Sequence, residues 1–295
     1  MSIRFDAGEV ITAMVTPFDK NLKVDFEALG NLVEHLINNG SDGILVTGTT
    51  GESPTLSFDE ELEILAFVKK KANGRVKIVM GAGSNSTQTA VEAAQKAQAA
   101  GADAVLTVVP YYNKPSQKGM YEHFAAIAKA VSVPVILYNI PGRTGVNMQP
   151  ATIAKLANEF KNIVAVKQSN SDLDLISDMK MLCPNDFVIY SGDDSLTLPM
   201  LALGVHGVIS VASHIVGSDV KKMISLFKAG NVSEATELHL KLYPLFRKLF
   251  MAPNPVPAKE ALAKMGLMKN IVKMPLVTLD EEEKAEFLSV LKNYI

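Results

Sequence analysis

A single lysine, Lys167, stands where a nucleophilic amine could act in this sequence. It follows the apolar run Ile163-Val164-Ala165-Val166, and a β-branched apolar run of this length predicts a buried parallel strand. Barrels and open α/β sheets carry their chemistry at the carboxyl ends of such strands. Because removal from water favours the neutral amine, a lysine at this place can attack a carbonyl carbon and form an imine.

Several other predicted strand ends carry groups that can bind an acid or pass a proton. The turn Thr47-Gly48-Thr49-Thr50-Gly51-Glu52-Ser53 offers glycines, hydroxyls and successive N–H groups, which together can hold a carboxylate or a phosphate. Tyr111, Tyr112 and Tyr138 offer further hydroxyls, and Arg143 lies in a loop flanked by glycines. Each feature alone also fits an ordinary structural role, such as a tight turn, a packed ring or a surface arginine.

The combination of these groups is more informative than any one of them. An amine, hydroxyls, an anion nest and an arginine at one barrel mouth could bind a 2-oxo acid, form an imine with it and move protons around it. Asp193 and Asp194 also follow a predicted strand. They could bind a metal, but we expect them to cap the next helix. The sequence therefore predicts Schiff-base chemistry at Lys167.

The elements that would carry these residues are apolar, β-branched segments separated by amphipathic helices. Segments that start about 20 to 35 residues apart in this way are typical of repeated βα units. We expect them to close into a (β/α)8 barrel, with a doubly wound parallel sheet as the alternative. The predicted strands are Val10–Val15, Gly43–Val46, Lys77–Met80, Ala104–Val108, Val135–Tyr138, Ile163–Lys167, Phe187–Tyr190 and Gly207–Ser210.

The strand pattern ends near Gly230, and the rest of the chain predicts helices. We therefore divide the chain into a catalytic barrel over residues 1–230 and a C-terminal helical extension, packed on the barrel, over residues 231–295. The predicted helices of the extension are Val232–Phe250, Ala258–Leu267 and Glu281–Tyr294, with prolines between the first two.

Composition excludes several classes of function. The 295-residue chain is 48% hydrophobic and 20% charged, with a formal net charge of −2, which gives no electrostatic basis for binding nucleic acid or an anionic membrane. A single cysteine, Cys183, excludes an internal disulfide. The five histidines show no metal-ligand spacing. No apolar run approaches the ~20 residues of a membrane span, so we expect a soluble cytoplasmic protein.

Five ordered motifs run through the chain: Gly48-Thr49-Thr50-Gly51-Glu52-Ser53, Pro110-Tyr111-Tyr112-Asn113-Lys114-Pro115, Tyr138-Asn139-Ile140-Pro141-Gly142-Arg143-Thr144-Gly145, Lys167 and Gly207-Val208-Ile209-Ser210. Together they resemble the dihydrodipicolinate synthase family of pyruvate-dependent Schiff-base lyases, which also includes N-acetylneuraminate lyase. The resemblance covers essentially the whole chain. It implies a (β/α)8 barrel that condenses pyruvate with L-aspartate 4-semialdehyde to 4-hydroxy-tetrahydrodipicolinate, in diaminopimelate and lysine biosynthesis. It implies no metal and no organic cofactor.

The resemblance also implies which residues do the chemistry. Lys167 would form the imine with pyruvate, while Tyr138, Thr49 and Tyr112 would relay protons. Tyr112 would reach its partners across a subunit interface. We therefore expect a homo-oligomer, either a dimer or a tetramer built as a dimer of dimers.

Three further residues would bind the substrates. Thr50 would hold the pyruvate carboxylate, and the backbone of Ile209 would lie close to bound pyruvate. Arg143 would bind the carboxylate of the aldehyde, because a guanidinium suits a carboxylate. A polyhydroxylated aldehyde would need neutral hydroxyl partners, so Arg143 favours the synthase over a lyase that acts on a sialic acid or a 2-keto-3-deoxy sugar acid. A barrel that binds a small acid without catalysis is the other alternative.

The sequence departs from the family pattern at Gln168, where many relatives have glutamate, and in a regulatory pocket. In lysine-inhibited relatives this pocket lies at a subunit interface, and three of its residues match here: Ser53, Asn85 and Tyr111. Three others replace two histidines and a glutamate of those relatives: Phe58, Glu61 and Thr89. Because a cationic ligand loses a carboxylate partner, we expect weak or no inhibition by lysine.

Overall fold

The computed structural model describes residues 5–295 and contains a closed barrel of eight parallel strands. The strands follow one another around the barrel in chain order. This order confirms the (β/α)8 prediction over the doubly wound sheet, in which the strand order reverses. The strands are β1 (Val10–Ala13), β2 (Gly43–Val46), β3 (Lys77–Gly81), β4 (Ala104–Val108), β5 (Val135–Asn139), β6 (Ile163–Gln168), β7 (Val188–Ser191) and β8 (Gly207–Ser210).

Helices connect the strands and continue beyond the last one. No helix in the described part of the chain is long and apolar enough to cross a membrane. The helices are α1 (Phe26–Asn38), α2 (Phe58–Ala72), α3 (Thr87–Ala99), α4 (Gln117–Ala130), α5 (Pro141–Thr144), α6 (Pro150–Glu159), α7 (Asp174–Leu182), α8 (Thr197–Leu201), α9 (Ser213–Lys228), α10 (Val232–Lys248), α11 (Val256–Lys264) and α12 (Glu281–Leu291).

Local sequence explains where these helices begin and which face they bury. The side chain of Asp25 accepts a hydrogen bond from Ala28 N at the start of α1, which satisfies a backbone donor that has no partner inside the helix. The apolar stripe of α1 is buried, including Leu29 and Leu36. A capping box of Ser57 and Glu60 starts α2 in the same way.

Several predicted boundaries need correction. α11 ends at Lys264 and α12 at Leu291, each three residues before its predicted end, and β7 lies one residue later than predicted. β1 ends at Ala13, two residues before the predicted end. α10 ends at Lys248, short of the predicted Phe250. α11 begins at Val256, two residues before the predicted start, with Pro257 in its first turn. The first turn accepts proline because its missing N–H would have no partner there.

The chain forms two compact units. One contains Val79–Ile209 together with the described residues up to Gly8, and the other contains Glu9–Ile78 and Ser210–Ile295. The first unit carries β3 from Val79 onward, β4 to β7 and all but the last residue of β8. The second carries β1, β2, α1, α2 and the helices from α9 onward. The predicted division at residue 230 falls between α9 and α10 and stays a prediction.

Candidate active site

Lys167 lies near the end of β6, in the unit of residues 79–209. All six residues of that strand are buried, and Lys167 is 6% exposed. The strand register sets Lys167 between Tyr138 on β5 and Tyr190 on β7. Lys167 Nζ lies 4.4 Å from the centre of the Tyr138 ring. The amine is therefore shielded from water and lies against a side chain that can pass protons.

A glycine on the neighbouring strand end makes room for this lysine. Gly192 directly follows β7, and a Cβ atom built on it would lie 3.0 Å from Lys167 Cε and 1.9 Å from Ser169 Oγ. In a close-packed interior any side chain at residue 192 must displace these neighbours. The Ser169 hydroxyl is buried and has no hydrogen-bond partner among the residues that the structure describes. Ser169 could not be identified from the sequence, because a serine after a strand carries no signal of its own.

Asp193 is the acidic residue that the charge of Lys167 influences. Burial raises the pKa of the Asp193 carboxyl, while Lys167 opposes that rise and Asp194 adds to it. Asp193 precedes a short 3₁₀ turn over Asp194–Leu196, but its side chain makes no capping hydrogen bond there. The prediction that the Asp193 side chain caps the next helix is therefore wrong.

Asn139, at the end of β5, fixes the segment that follows Arg143. Its Oδ1 accepts from Met148 N at 3.0 Å, and its Nδ2 donates to Asn147 Oδ1 at 2.7 Å and to Gln168 Oε1 at 3.1 Å. Arg143 itself lies in the short helix α5 and is exposed. The guanidinium is thus carried on a short helix whose following segment is anchored to the end of β5, and it is open to an acidic ligand.

Tyr112 lies in the loop after β4 and is 88% exposed in this single chain. Its backbone adopts φ +69°, a conformation that is uncommon for a bulky residue. The next residue holds the loop, since Asn113 N donates to Tyr111 O at 2.8 Å and Asn113 Nδ2 donates to Asn85 O at 2.9 Å. The action of Tyr112 on a neighbouring subunit stays a prediction.

The remaining predicted threonines lie in the other unit, in the turn after β2. Thr49 is exposed and Thr50 is buried. Asn254, which precedes α11, donates from Nδ2 to Thr50 Oγ1 at 2.9 Å. This contact could not be predicted from the sequence, because the two residues are 204 positions apart. Only the proline-rich run Pro253–Pro257 marked the segment.

Ile209 lies in β8 and is 1% exposed. It can therefore offer a ligand little more than its backbone and a small apolar surface. Among the described residues, no group of three or more His, Cys, Asp or Glu side chains is arranged to hold a metal ion.

A closed (β/α)8 barrel that buries a lysine against a tyrosine, at neighbouring strand ends, defines the class of barrel enzymes that act through a lysine amine. The Dihydrodipicolinate synthetase family matches this chain over residues 6–294. The chain belongs to that family, which confirms the resemblance drawn from the sequence motifs.

Individual relatives agree with the family match over nearly the full length. The chain is 49% identical over 286 residues to the 4-hydroxy-tetrahydrodipicolinate synthase of Bacillus velezensis, covering 97% of this chain and 99% of that protein. The crystal structure of a dihydrodipicolinate synthase from Bacillus anthracis has a TM-score of 0.95, 45% identity and 98% coverage of both chains. A lysine-bound enzyme from Cyanidioschyzon merolae also has a TM-score of 0.95, with 45% identity and 97% coverage of both chains.

Proposed function

We propose that this chain condenses pyruvate with L-aspartate 4-semialdehyde to 4-hydroxy-tetrahydrodipicolinate, in the route to diaminopimelate and lysine. The observation that carries the proposal is the buried Lys167 beside Tyr138, in a chain whose relatives are named for this reaction. Those names favour the synthase over a sugar-acid lyase. The reaction needs no metal or organic cofactor, because the protonated imine withdraws the electrons itself.

The chemistry begins when the Lys167 amine adds to the keto carbon of pyruvate and water leaves, which gives a protonated imine. Loss of a proton from the methyl carbon then gives an enamine. The enamine carbon attacks the aldehyde carbon, and the aldehyde oxygen takes up a proton. The amine of the second substrate finally attacks the imine carbon, closes the ring and releases Lys167.

Each step moves a proton, and three hydroxyl groups are the proposed carriers. Tyr138 is the best supported, because its ring lies 4.4 Å from the Lys167 amine. Thr49 is exposed at the turn after β2, so its hydroxyl is open to partners. Tyr112 is exposed in its own chain. A residue that completes the site of a neighbouring subunit must be exposed in this way.

Thr50 is proposed to donate a hydrogen bond to the pyruvate carboxylate. Its Oγ1 already accepts a hydrogen bond from Asn254 Nδ2. A hydroxyl that accepts from an amide keeps its own proton for donation, and a carboxylate can only accept. Asn254 therefore orients the threonine hydroxyl for an anionic ligand.

Arg143 and Ile209 complete the proposed substrate contacts. The exposed guanidinium of Arg143 can form a two-point contact with the carboxylate of the aldehyde substrate. The backbone of Ile209 is proposed to lie along bound pyruvate, since its side chain is committed to the interior.

A homo-oligomer, either a dimer or a dimer of dimers, follows from the role proposed for Tyr112. One relative of known structure is described as a monomeric variant, so the assembly needs its own measurement. Sedimentation velocity would give a mass of two or four chains if Tyr112 acts in trans, and a monomer that retains full activity would contradict that role. The cytoplasmic location stays a prediction.

The proposal is tested by combining turnover with chemical trapping. Borohydride should reduce the pyruvate imine and add about 72 Da to the peptide that contains Lys167, while Lys167→Ala should show neither the adduct nor condensation. Side-by-side assays with L-aspartate 4-semialdehyde and with a sugar aldehyde separate the synthase from the lyase. Binding of pyruvate without an adduct would instead indicate a binding protein.

A further inference from the structure

The turn that carries Thr49 and Thr50 has an unusual backbone. Thr47 at its start has φ +50° and Glu52 at its end has φ +57°, although neither residue is glycine. The turn is also tight, because a Cβ atom on Gly51 would lie 3.2 Å from Met14 O and 3.2 Å from two backbone atoms of Thr47. A β-branched residue with positive φ is a clear outlier, and such residues persist only where their surroundings hold them.

The C-terminal part of the chain holds this turn through Glu52. The Glu52 carboxylate is 2% exposed and forms an ion pair with the Lys259 ammonium of α11. Its other oxygen, Oε2, accepts a hydrogen bond from Lys273 N at 2.9 Å. Lys273 Nζ also donates to Thr55 O at 3.2 Å, just after the turn.

Lys259 is itself built into the interior. It is 0% exposed, donates from Nζ to Ile271 O at 2.9 Å and lies 4.1 Å from the centre of the Phe18 ring. Burial lowers the pKa of the Lys259 ammonium to about 8, against the opposing effect of Glu52. A buried ion pair contributes little net stability, because both charges lose their water. Its fixed geometry can instead hold the strained turn in one conformation.

We propose that the Glu52–Lys259 ion pair is a clamp that holds the Thr47–Glu52 turn in the conformation that binds the pyruvate carboxylate. Glu52 and Lys259 are thus positioning residues, and the helical extension sets the affinity of the barrel for pyruvate. This inference rests on the proposed function, because it gives Thr50 the role of carboxylate ligand. Asn254, on the same C-terminal segment, contacts Thr50 directly and supports the same conclusion.

The test uses Glu52→Gln, Lys259→Met and the double variant, with Leu291→Ala as control. The readout is the pyruvate concentration that gives half-maximal borohydride trapping, together with kcat and the KM for each substrate. We expect the half-maximal pyruvate concentration to rise about tenfold in each single variant, as release of a strained backbone conformation would produce. We expect kcat to change less than about threefold and the KM for the aldehyde less than about twofold.

The double variant keeps the test informative if a single variant fails to fold, because it leaves no unpaired buried charge. We expect it to be about as impaired as one single variant, since both residues serve one contact. Leu291 is fully buried in α12 and belongs neither to the turn nor to α11, so Leu291→Ala should lower the unfolding temperature without changing the affinity for pyruvate.

An affinity for pyruvate within about twofold of the unaltered protein, in every folded clamp variant, would overturn the clamp. Failure of the unaltered protein to be trapped at all would instead refute the proposed function, so the two failures are distinguishable.

Discussion

Replacement of Gly192 by alanine should impair catalysis by moving Lys167. The new Cβ atom would lie 1.9 Å from Ser169 Oγ, 3.1 Å from Ser169 Cβ and 3.0 Å from Lys167 Cε. The serine hydroxyl can rotate away, but its Cβ and the lysine carbon are held by a buried strand end. Both must shift by several tenths of an ångström to restore ordinary contact distances of about 3.5 Å or more.

The size of the effect follows from how much geometry matters to imine formation. A displacement of about 1 Å in a reacting group can cost about 100-fold in rate, so a smaller shift of the lysine should lower kcat by about 10-fold or more. Overpacking of this kind also destabilises the fold by about 1–3 kcal/mol. The loss of activity should therefore exceed what the loss of folded protein explains.

The assay compares kcat, the rate of pyruvate trapping by borohydride and the unfolding temperature in three variants. Gly30→Ala is the control, since its Cβ atom meets the Phe67 ring at no less than 3.4 Å inside α1. Ser169→Ala with Gly192→Ala removes the closest clash and should recover part of the lost rate. Unaltered kcat and trapping in the folded Gly192→Ala variant would refute the steric reasoning.

Three further predictions concern titration and regulation. Burial raises the pKa of Glu61 to about 7; the folded protein then binds this proton more tightly than the unfolded chain, so stability falls as pH rises from about 4.5 to 7. Glu61→Gln should therefore have a free energy of unfolding about 2–3 kcal/mol higher than the unaltered protein near pH 7.5, and about 1 kcal/mol higher near pH 5, as measured by urea titration. Burial lowers the pKa of His123 to about 4; the unfolded chain then binds the proton more tightly, and stability falls as pH drops through the range from about 6.5 to 4. Between about pH 7.5 and 5, the free energy of unfolding should fall about 2 kcal/mol less in His123→Gln than in the unaltered protein. Equal losses in both proteins would contradict this prediction. The family resemblance implies that Phe58, Glu61 and Thr89 stand where lysine-inhibited relatives have two histidines and a glutamate. Millimolar lysine should therefore leave turnover nearly unchanged, and submillimolar inhibition would overturn that expectation.

Much of the barrel could be predicted because each strand is a short apolar run bounded by a turn. β2, β4 and β8 have the predicted bounds, and β6 extends only one residue further, to Gln168. The strand ends then indicate where the reactive side chains lie, because parallel strands end on one side of the barrel. A lysine at a strand end, taken alone, also fits a solvated side chain. Lys167 could be singled out because hydroxyls, an anion nest and an arginine follow the other predicted strand ends.

The contacts between distant segments could not be predicted in the same way. Glu52 is an ordinary turn residue in the sequence, and Lys259 is an ordinary helix residue. Their burial and pairing arise only when α11 packs against the turn after β2. The packing around Gly192 is similar, because the need for glycine comes from Lys167 and Ser169 on another strand end. Periodicity reports which face of an element is buried, but it does not report which element covers that face.

The most direct test of the Schiff-base assignment is a crystal structure of the protein soaked with pyruvate. It should show continuous density from Lys167 Nζ to the keto carbon of the ligand, with the carboxylate bound at Thr50. A free Lys167 side chain in crystals that hold pyruvate elsewhere, or hold none at saturating concentration, would contradict the assignment.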